Sequence, residues 1–317
     1  MSYIDLNRIE FVITRVCSGK CKHCALGELP DKGECIDAVA AATAVKHCAK
    51  RFSVDSLMTF GGEPLLFADA VCRIHATARD AGIPRRQLIT NGFFSHDDAE
   101  IDKVAQALCE SGINDVMLSV DAFHQETIPV ESVMQFANAL VKYGIPSLRV
   151  HPAWVVNAEN DNKYNVETKR LLKLFADRGI RASNGNNISL SGNASKYLAE
   201  YYPPSADMDL SEPCGWLGEL NCISINPNGA VSACAEIGNI YNDDILDIID
   251  NYNPYSIPVL REVMNGGVAQ LVEFAKAQGF PVDISDCRST CDVCRKIFDA
   301  EKLHGGEKYA GSKQRYL

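Results

Sequence analysis

Short apolar runs alternate with amphipathic stretches through the first half of the chain, at intervals of about thirty residues. A helical stretch follows each of these runs, which end near Thr14, Phe60, Thr90, Val120 and Val156. Such alternation is typical of parallel βα units, whose right-handed crossovers curl a sheet toward a barrel or an open, doubly wound sheet. In both architectures ligands bind where the loops after the strand ends meet. We therefore predict an α/β fold whose functional residues lie at those ends.

The alternation predicts helices and strands in order until it breaks near residue 183. The predicted helices cover 36–49, 67–81, 97–110, 131–142 and 166–177, the fifth strand covers 147–156, and a short sixth strand begins at Ile180. The stretches 184–187 and 202–204 read as loops or linkers. We predict a barrel domain over 1–200, a smaller domain over 201–304 and a disordered polar tail over 305–317. Within the smaller domain, 222–234 reads as a β-hairpin with its turn at Asn228–Gly229.

Three closely spaced cysteines follow the first predicted strand. Cys17, Cys21 and Cys24 have C-x3-C-x2-C spacing. Three thiolates can hold three irons of a cubane [4Fe–4S] cluster and leave the fourth iron without a protein ligand, which implies a reaction rather than a structural role. The alternative is a zinc knuckle, but zinc sites usually present C-x2-C pairs and four ligands close together, and His23 alone could complete such a set here.

Composition limits the compartment and the partners. The chain has 317 residues, 13 of them cysteine, and a net charge of −10. So many cysteines, without a signal peptide or a membrane-spanning apolar run, predict a cytoplasmic protein that uses its thiols for metals or catalysis. An acidic surface repels phosphate backbones, so we expect no nucleic acid partner and no membrane partner.

A second motif gives the cysteine loop a family likeness. Gly61–Gly62–Glu63–Pro64 follows the second predicted strand, and together with the cysteine loop it resembles the radical S-adenosylmethionine (SAM) superfamily. The resemblance covers roughly residues 5–190. It implies a partial (β/α)6 barrel, a [4Fe–4S] cluster held by Cys17, Cys21 and Cys24, and SAM bound at its open iron. It also implies a flavodoxin- or ferredoxin-like electron donor.

The resemblance further implies which residues contact SAM. Glu63 would offer an anion to the SAM ammonium group, and the glycines before it would let the backbone approach the ligand. His23 would lie near the adenine. The full set of cofactor-binding residues implied in this way is His23, Gly61, Gly62, Glu63, Pro64, Thr90, Asn91, Ser119 and Asp121. For Thr90–Asn91–Gly92 a plain turn is the alternative.

The C-terminal part resembles the auxiliary-cluster regions called Twitch and SPASM in this superfamily. The resemblance implies an auxiliary [4Fe–4S] cluster whose ligands are Cys214, Cys234, Cys291 and Cys294. Cys287 could replace one of them, because Cys287, Cys291 and Cys294 repeat the C-x3-C-x2-C spacing. A zinc ribbon built from C-x2-C pairs is the alternative.

Within the superfamily, the sequence is most similar to peptide-modifying members such as the epimerases that convert L- to D-residues in ribosomal epipeptides. Four features carry this likeness: the x-His-Cys sequence that ends the cluster loop, the segment Asn91–Gly92–Phe93, the pair Asp121 and His124, and the hairpin that contains Gly229. These epimerases use a cysteine directly after the hairpin cluster cysteine as hydrogen-atom donor, and Ala235 occupies that position here. Cys222 or Cys287 would have to take the catalytic role.

Three functions follow from these patterns. The first is radical modification of a ribosomally made peptide, by crosslink or thioether formation, oxidation or epimerisation. The second is dehydrogenation of a small molecule; only sixteen residues precede Cys17, fewer than the leader-binding domain of many peptide-modifying members would need. The third is a non-catalytic iron–sulfur protein, which would not react with SAM.

Overall fold

Eleven strands are present in the computed structural model, which describes residues 2–202, 208–285 and 287–303. The predicted disordered tail, 305–317, lies outside the described residues. In chain order the strands are β1 (Ile4–Val12), β2 (Ser56–Phe60), β3 (Arg85–Thr90), β4 (Asp115–Ser119), β5 (Leu148–His151), β6 (Ala153–Trp154), β7 (Arg181–Ala182), β8 (Asn186–Asn187), β9 (Leu220–Ile225), β10 (Ala230–Ala233) and β11 (Ala235–Asn239).

Six of these strands form a parallel sheet in the order β1-β2-β3-β4-β5-β7. Helices connect them in chain order, so the predicted α/β partial barrel with a short sixth strand is confirmed. The helices of this part are α1 (Ala38–Arg51), α2 (Ala68–Asp80), α3 (Asp98–Glu110), α4 (Val130–Lys142) and α5 (Lys163–Ala176). Asp37, Asp97 and Asn162 begin three of them by accepting hydrogen bonds from free backbone N–H groups of the first turn.

The two faces of the sheet have different compositions. Ile9, Phe11 and Leu57 point toward the helices and are fully buried in the main hydrophobic core. The alternate residues Arg8 and Glu10 lie on the opposite, concave face, where Arg8 donates to Glu10, Ser56 and Gln87. The period of two along β1 therefore separates an apolar helix-facing side from a polar concave side.

The predicted fifth strand is wrong in its length. Instead of one strand over 147–156, β5 ends at His151 and β6 begins at Ala153, because Pro152 has no N–H to continue a ladder. β6 pairs instead with β8, in a separate two-stranded sheet. β8 lies inside 184–187, so that predicted loop also contains a short strand.

The C-terminal part continues the same sheet. β9 and β10 are antiparallel, which confirms the predicted hairpin, and β11 pairs with β10. β9 also pairs in parallel with β1, so the nine-stranded sheet runs across the predicted domain boundary. Four further helices are described: α6 (Asn193–Tyr197) lies before β9, whereas α7 (Ile245–Asn251), α8 (Pro258–Ala277) and α9 (Thr290–Leu303) come after β11. The division into two domains stays a prediction.

No helix within the described ranges combines the length and the apolar character that crossing a membrane requires.

Candidate functional site

The cysteine loop lies against the turn after β2. Gly62 donates its backbone N–H to Thr14 O at 2.8 Å, and Glu63 donates to Val16 O at 2.8 Å. A Cβ atom on Gly62 would lie 2.0 Å from Val16 O, and one on Gly61 would lie 2.6 Å from Thr14 O. The two glycines are therefore required for close contact between the β2 turn and the cysteine loop.

Glu63 connects the ends of β2 and β3. Its side chain is fully buried; Oε1 accepts from Leu65 N at 2.9 Å and from Thr90 Oγ1 at 2.6 Å, and Oε2 accepts from Asn91 N at 2.8 Å. Burial raises the pKa of Glu63 to about 7, although these hydrogen bonds oppose the shift. Pro64 is buried at the start of a 3₁₀ turn, Pro64–Phe67. The contact of Glu63 with a SAM ammonium stays a prediction.

Asn91 extends this network to the cluster loop. Its Nδ2 donates to Ser18 Oγ at 3.2 Å and lies 3.7 Å from Cys17 Sγ. The loop after β4 contacts the same segment, since Lys20 N donates to Thr127 Oγ1 at 3.2 Å. The predicted convergence of the strand-end motifs is thus confirmed, and Ser119 lies buried at the end of β4.

The three loop cysteines are free thiols in a largely buried setting. Burial raises the pKa of Cys17 to about 11 and raises that of Cys21 further. Asn193, which sequence reasoning missed, holds the loop from the other side: its N–H donates to Cys24 O at 2.9 Å and its Nδ2 to Cys21 O at 3.1 Å. Three thiols on one loop suit iron, and because the ligands are thiolates, metal loading must release protons.

Asp121 and His124 form a buried pair beside this loop. Asp121 Oδ2 lies 2.8 Å from His124 Nδ1 and accepts from Ala153 N at 3.1 Å; Oδ1 accepts from the N–H groups of Phe123 and His124, each at 3.0 Å. Burial by itself would raise the pKa of Asp121, but the neighbouring imidazoles of His124 and His23 and these hydrogen bonds outweigh it, so the pKa lies well below its usual range.

His23, a residue of the cysteine loop, lies against this pair. Its ring centroid is 4.8 Å from that of His124 and 5.0 Å from that of Phe123. Burial lowers the pKa of His23 to about 4, and its Nδ1 is buried without a hydrogen bond. Across the described ranges, Cys21, His23 and His124 are the one set of three or more metal-binding side chains whose ligand atoms all lie within 4.8 Å of one another. The motif spacing gave no signal for His124 joining this set.

The four predicted auxiliary ligands come from separate segments. Cys214 precedes a 3₁₀ turn, Cys234 lies between β10 and β11, and Cys291 and Cys294 lie on the first turns of α9. Burial, followed by the charges of Cys291, Cys214 and Cys234, raises the pKa of Cys294 to about 12. Burial, Cys214 and Cys291 likewise raise the pKa of Cys234 to about 11. The four thiols are therefore close enough to affect one another.

Their spacing does not match a zinc tetrahedron. Zinc–sulfur bonds of about 2.3 Å put neighbouring sulfurs roughly 3.8 Å apart. No three of Cys214, Cys234, Cys291 and Cys294, all of which the structure describes, lie mutually within 4.8 Å. Tyr252, which the sequence analysis did not identify, is buried next to Cys234 and Cys214. Burial and these two thiols raise the pKa of Tyr252.

The two candidate catalytic cysteines lie in different surroundings. Cys222 is opposite Arg8 in the β1–β9 ladder, on the concave face, and burial together with Glu10 raises its pKa to about 11. Cys287 is 5% exposed and belongs to the main hydrophobic core. The structure therefore separates two residues that the sequence could not rank.

Comparison with sequence families gives a match to the model of the Radical SAM superfamily over residues 11–188, more than half of the chain. No curated protein sequence matches the chain.

Solved structures with a similar fold include anSMEcpe with bound AdoMet, at TM-score 0.50 and 15% identity, covering 94% of this chain and 97% of that chain. BtrN in complex with AdoMet and 2-DOIA matches at TM-score 0.45 and 17% identity, covering 82% and 88%. Streptococcus suis SuiB bound to precursor peptide SuiA matches at TM-score 0.40 and 13% identity, covering 92% and 76%. At these identities the first structure supports the fold alone, and the other two carry no further argument.

Proposed function

The chain belongs to the radical SAM superfamily of enzymes, and we propose that it modifies a ribosomally made peptide through a radical that begins at the Cys17, Cys21 and Cys24 loop. A [4Fe–4S] cluster held by these cysteines would supply the electron for reductive cleavage of SAM, and the resulting 5′-deoxyadenosyl radical would take hydrogen from the substrate. The observation that carries the cluster-and-SAM part of this proposal is the contact of the β2 turn and of Asn91 with the three-thiol loop; the peptide substrate is proposed from the sequence resemblance.

The chain's own residues hold this site in shape. Glu63 joins the ends of β2 and β3, and Asn91 places an amide N–H toward Cys17 Sγ. Hydrogen bonds to cluster sulfurs change the reduction potential, so Asn91 both positions the loop and adjusts the ease of reduction. Gly61, Gly62, Pro64, Thr90, Ser119 and Asp121, with His23 and Glu63, complete the proposed SAM-binding surface.

We assign the second group, Cys214, Cys234, Cys291 and Cys294, to an auxiliary [4Fe–4S] cluster in a Twitch- or SPASM-like region. The mutual effect of the thiols on their pKa values supports one shared site, and four thiolates at one site would ligate a [4Fe–4S] cluster fully. A cluster with four protein ligands can accept or return an electron without binding substrate.

Cys222 is the better placed hydrogen-atom donor. It lies on the concave face beside Arg8 and Glu10, whereas Cys287 is in the core. Its raised pKa keeps the thiol protonated near neutral pH, which a hydrogen-atom donor requires. In epimerisation the Cys222 S–H bond breaks, a C–H bond forms on the peptide radical, and the sulfur radical then takes up one electron and one proton from the electron donor and solvent.

The decisive experiment is anaerobic. Reconstituted enzyme with SAM and dithionite should form 5′-deoxyadenosine, and the Cys17/Cys21/Cys24→Ala variant should not. Absence of product from the loaded wild-type enzyme would leave a non-catalytic iron–sulfur protein, the remaining alternative.

The peptide part of the proposal has its own experiment. Incubation of the reconstituted enzyme in deuterated buffer with SAM, reductant and an unlabelled short peptide encoded beside the gene should place one deuterium at a backbone Cα. Cys222→Ala should still consume SAM but incorporate no deuterium, and Cys287→Ala should match the wild type. A peptide that returns unchanged while an alcohol or amine is oxidised would establish the small-molecule alternative. The protein is proposed to work in the cytoplasm with a flavodoxin- or ferredoxin-like donor.

A further inference from the structure

We propose that, before its cluster is inserted, the protein binds one zinc ion through Cys21, His23 and His124. One thiolate and two imidazoles are ligands that zinc accepts readily. Their ligand atoms lie within 4.8 Å of one another. Zinc bonds of 2.0–2.3 Å place ligand atoms roughly 3.3–3.8 Å apart, so the three side chains need to move by only about an ångström.

His124 is already oriented as a ligand. Its Nδ1 lies 2.8 Å from Asp121 Oδ2, and Asp121 is fixed by two backbone N–H groups besides that of His124 itself. Because Asp121 accepts the Nδ1 proton, Nε2 keeps its lone pair. This carboxylate–histidine arrangement is the usual support of a zinc-bound imidazole, and the outer carboxylate is commonly worth 10–100-fold in affinity.

His23 supplies the second imidazole. Its Nδ1 is buried and makes no hydrogen bond, which is unfavourable for a polar atom unless a ligand is bound there. The ring is held between His124 and Phe123.

Zinc binding at this site has one consequence for insertion of the first [4Fe–4S] cluster. Cys21 cannot bind zinc and a cluster iron at the same time, so the two metal states exclude each other. Zinc also ranks above iron(II) in the general affinity order for such ligands. Zinc should therefore slow insertion of the first cluster, and the slowing should depend on two histidines that bind no iron of that cluster.

The test uses metal-stripped, reduced full-length protein and zinc alone, titrated anaerobically against a chromophoric zinc chelator. The auxiliary cysteines are present in every variant, so the measured quantity is the difference between variants. Wild type, Cys17→Ala and His96→Ala should bind one zinc more per chain than His23→Ala or His124→Ala. Asp121→Asn should weaken that zinc by about 10–100-fold. His96 is an exposed histidine and serves as the matched control.

Cobalt(II) gives a second readout that does not depend on stoichiometry. The sulfur-to-cobalt absorption assigned to this site should be lost in Cys21→Ala and kept in Cys17→Ala, with unfolding curves recorded for both. Equal zinc binding by wild type and the two histidine variants would overturn the proposal, as would equal loss in Cys17→Ala. The zinc and cobalt titrations contain no SAM, so their result does not depend on whether the proposed radical function is correct.

Discussion

Cys17, Cys21 and Cys24 lie on one loop, whereas Cys214, Cys234, Cys291 and Cys294 come from three separate segments of the C-terminal part. The first group is held by hydrogen bonds to the surrounding strand ends and to Asn193. The second group joins a 3₁₀ turn, a β-hairpin tip and a helix. Metal bound by the first group therefore adds reactivity to a formed site, and metal bound by the second also links elements of the fold.

Removing the cysteines of one group at a time should give the largest contrast between the two regions. Cys17/Cys21/Cys24→Ala should abolish 5′-deoxyadenosine formation while the thermal midpoint stays close to that of the wild type. Replacing all four auxiliary cysteines by Ala should lower the free energy of unfolding of the loaded protein by on the order of 5 kcal/mol or more. Iron analysis and thermal unfolding measure both. Equal falls in the midpoint for the two variants would remove the distinction.

The next contrast uses one glycine from each region. Gly62→Ala should destabilise the protein by about 3 kcal/mol, because its Cβ would overlap Val16 O. Gly215, beside Cys214, has nothing within 4 Å of an added Cβ. Gly215→Ala should therefore be neutral or stabilising by up to about 1 kcal/mol. Urea unfolding of both cluster-free variants compares them directly, and a tolerated Gly62→Ala would contradict the close contact.

A pH contrast follows from Glu63, since the first region contains a buried carboxyl group whose folded pKa is raised. The folded protein holds this proton up to about pH 7 and the unfolded chain only to about 4.5. The stabilising contribution of the protonated group is therefore present below pH 4.5 and is lost as pH rises through 7.

Glu63→Gln should consequently cost most near pH 5, roughly 2–3 kcal/mol, because the amide has one acceptor oxygen and its NH2 group would face either Asn91 N or the donors on Oε1. The cost should shrink toward pH 8, where the wild type carries a buried charge. Urea unfolding between pH 5 and 8 measures the difference. A cost that does not shrink between pH 5 and pH 8 would show that Glu63 is ionised in the folded protein throughout this range.

The smallest effect concerns the backbone of the second region. Cys234 has φ 64°, in the left-handed region that favours glycine, whereas Cys214 has φ −81°. In cluster-free protein, Cys234→Gly should be more stable than Cys234→Ala by about 1 kcal/mol. At position 214 the order should reverse, with Ala favoured by about 0.5–1 kcal/mol. If Ala is more stable than Gly at both positions, Cys234 does not have the left-handed backbone conformation.

The sequence predicted the parallel units and the meeting of motifs at the strand ends because hydrophobic period and glycine placement are local signals. It predicted one strand where Pro152 separates two, although a proline inside a strand pattern is itself a local signal of a break; only the pairing of β6 with β8 is not visible in the residues of β6. The contacts of His124 with His23, and of Asn193 with the cysteine loop, depend on segments far apart in the chain. Motif spacing cannot predict such long-range contacts. For the same reason, the sequence could not predict that Cys222 lies beside Arg8 and Glu10 whereas Cys287 lies in the core.

The parallel pairing of β9 with β1 has a consequence for synthesis on the ribosome. β1 emerges long before β9, the strand that covers one of its edges and ends at Ile225. Until then, the backbone N–H and C=O groups of that edge face solvent, and an uncovered strand edge is a template for pairing with other chains. Nascent or truncated chains that stop before Leu220 should therefore depend on chaperones, and expression of the first part alone should yield aggregates.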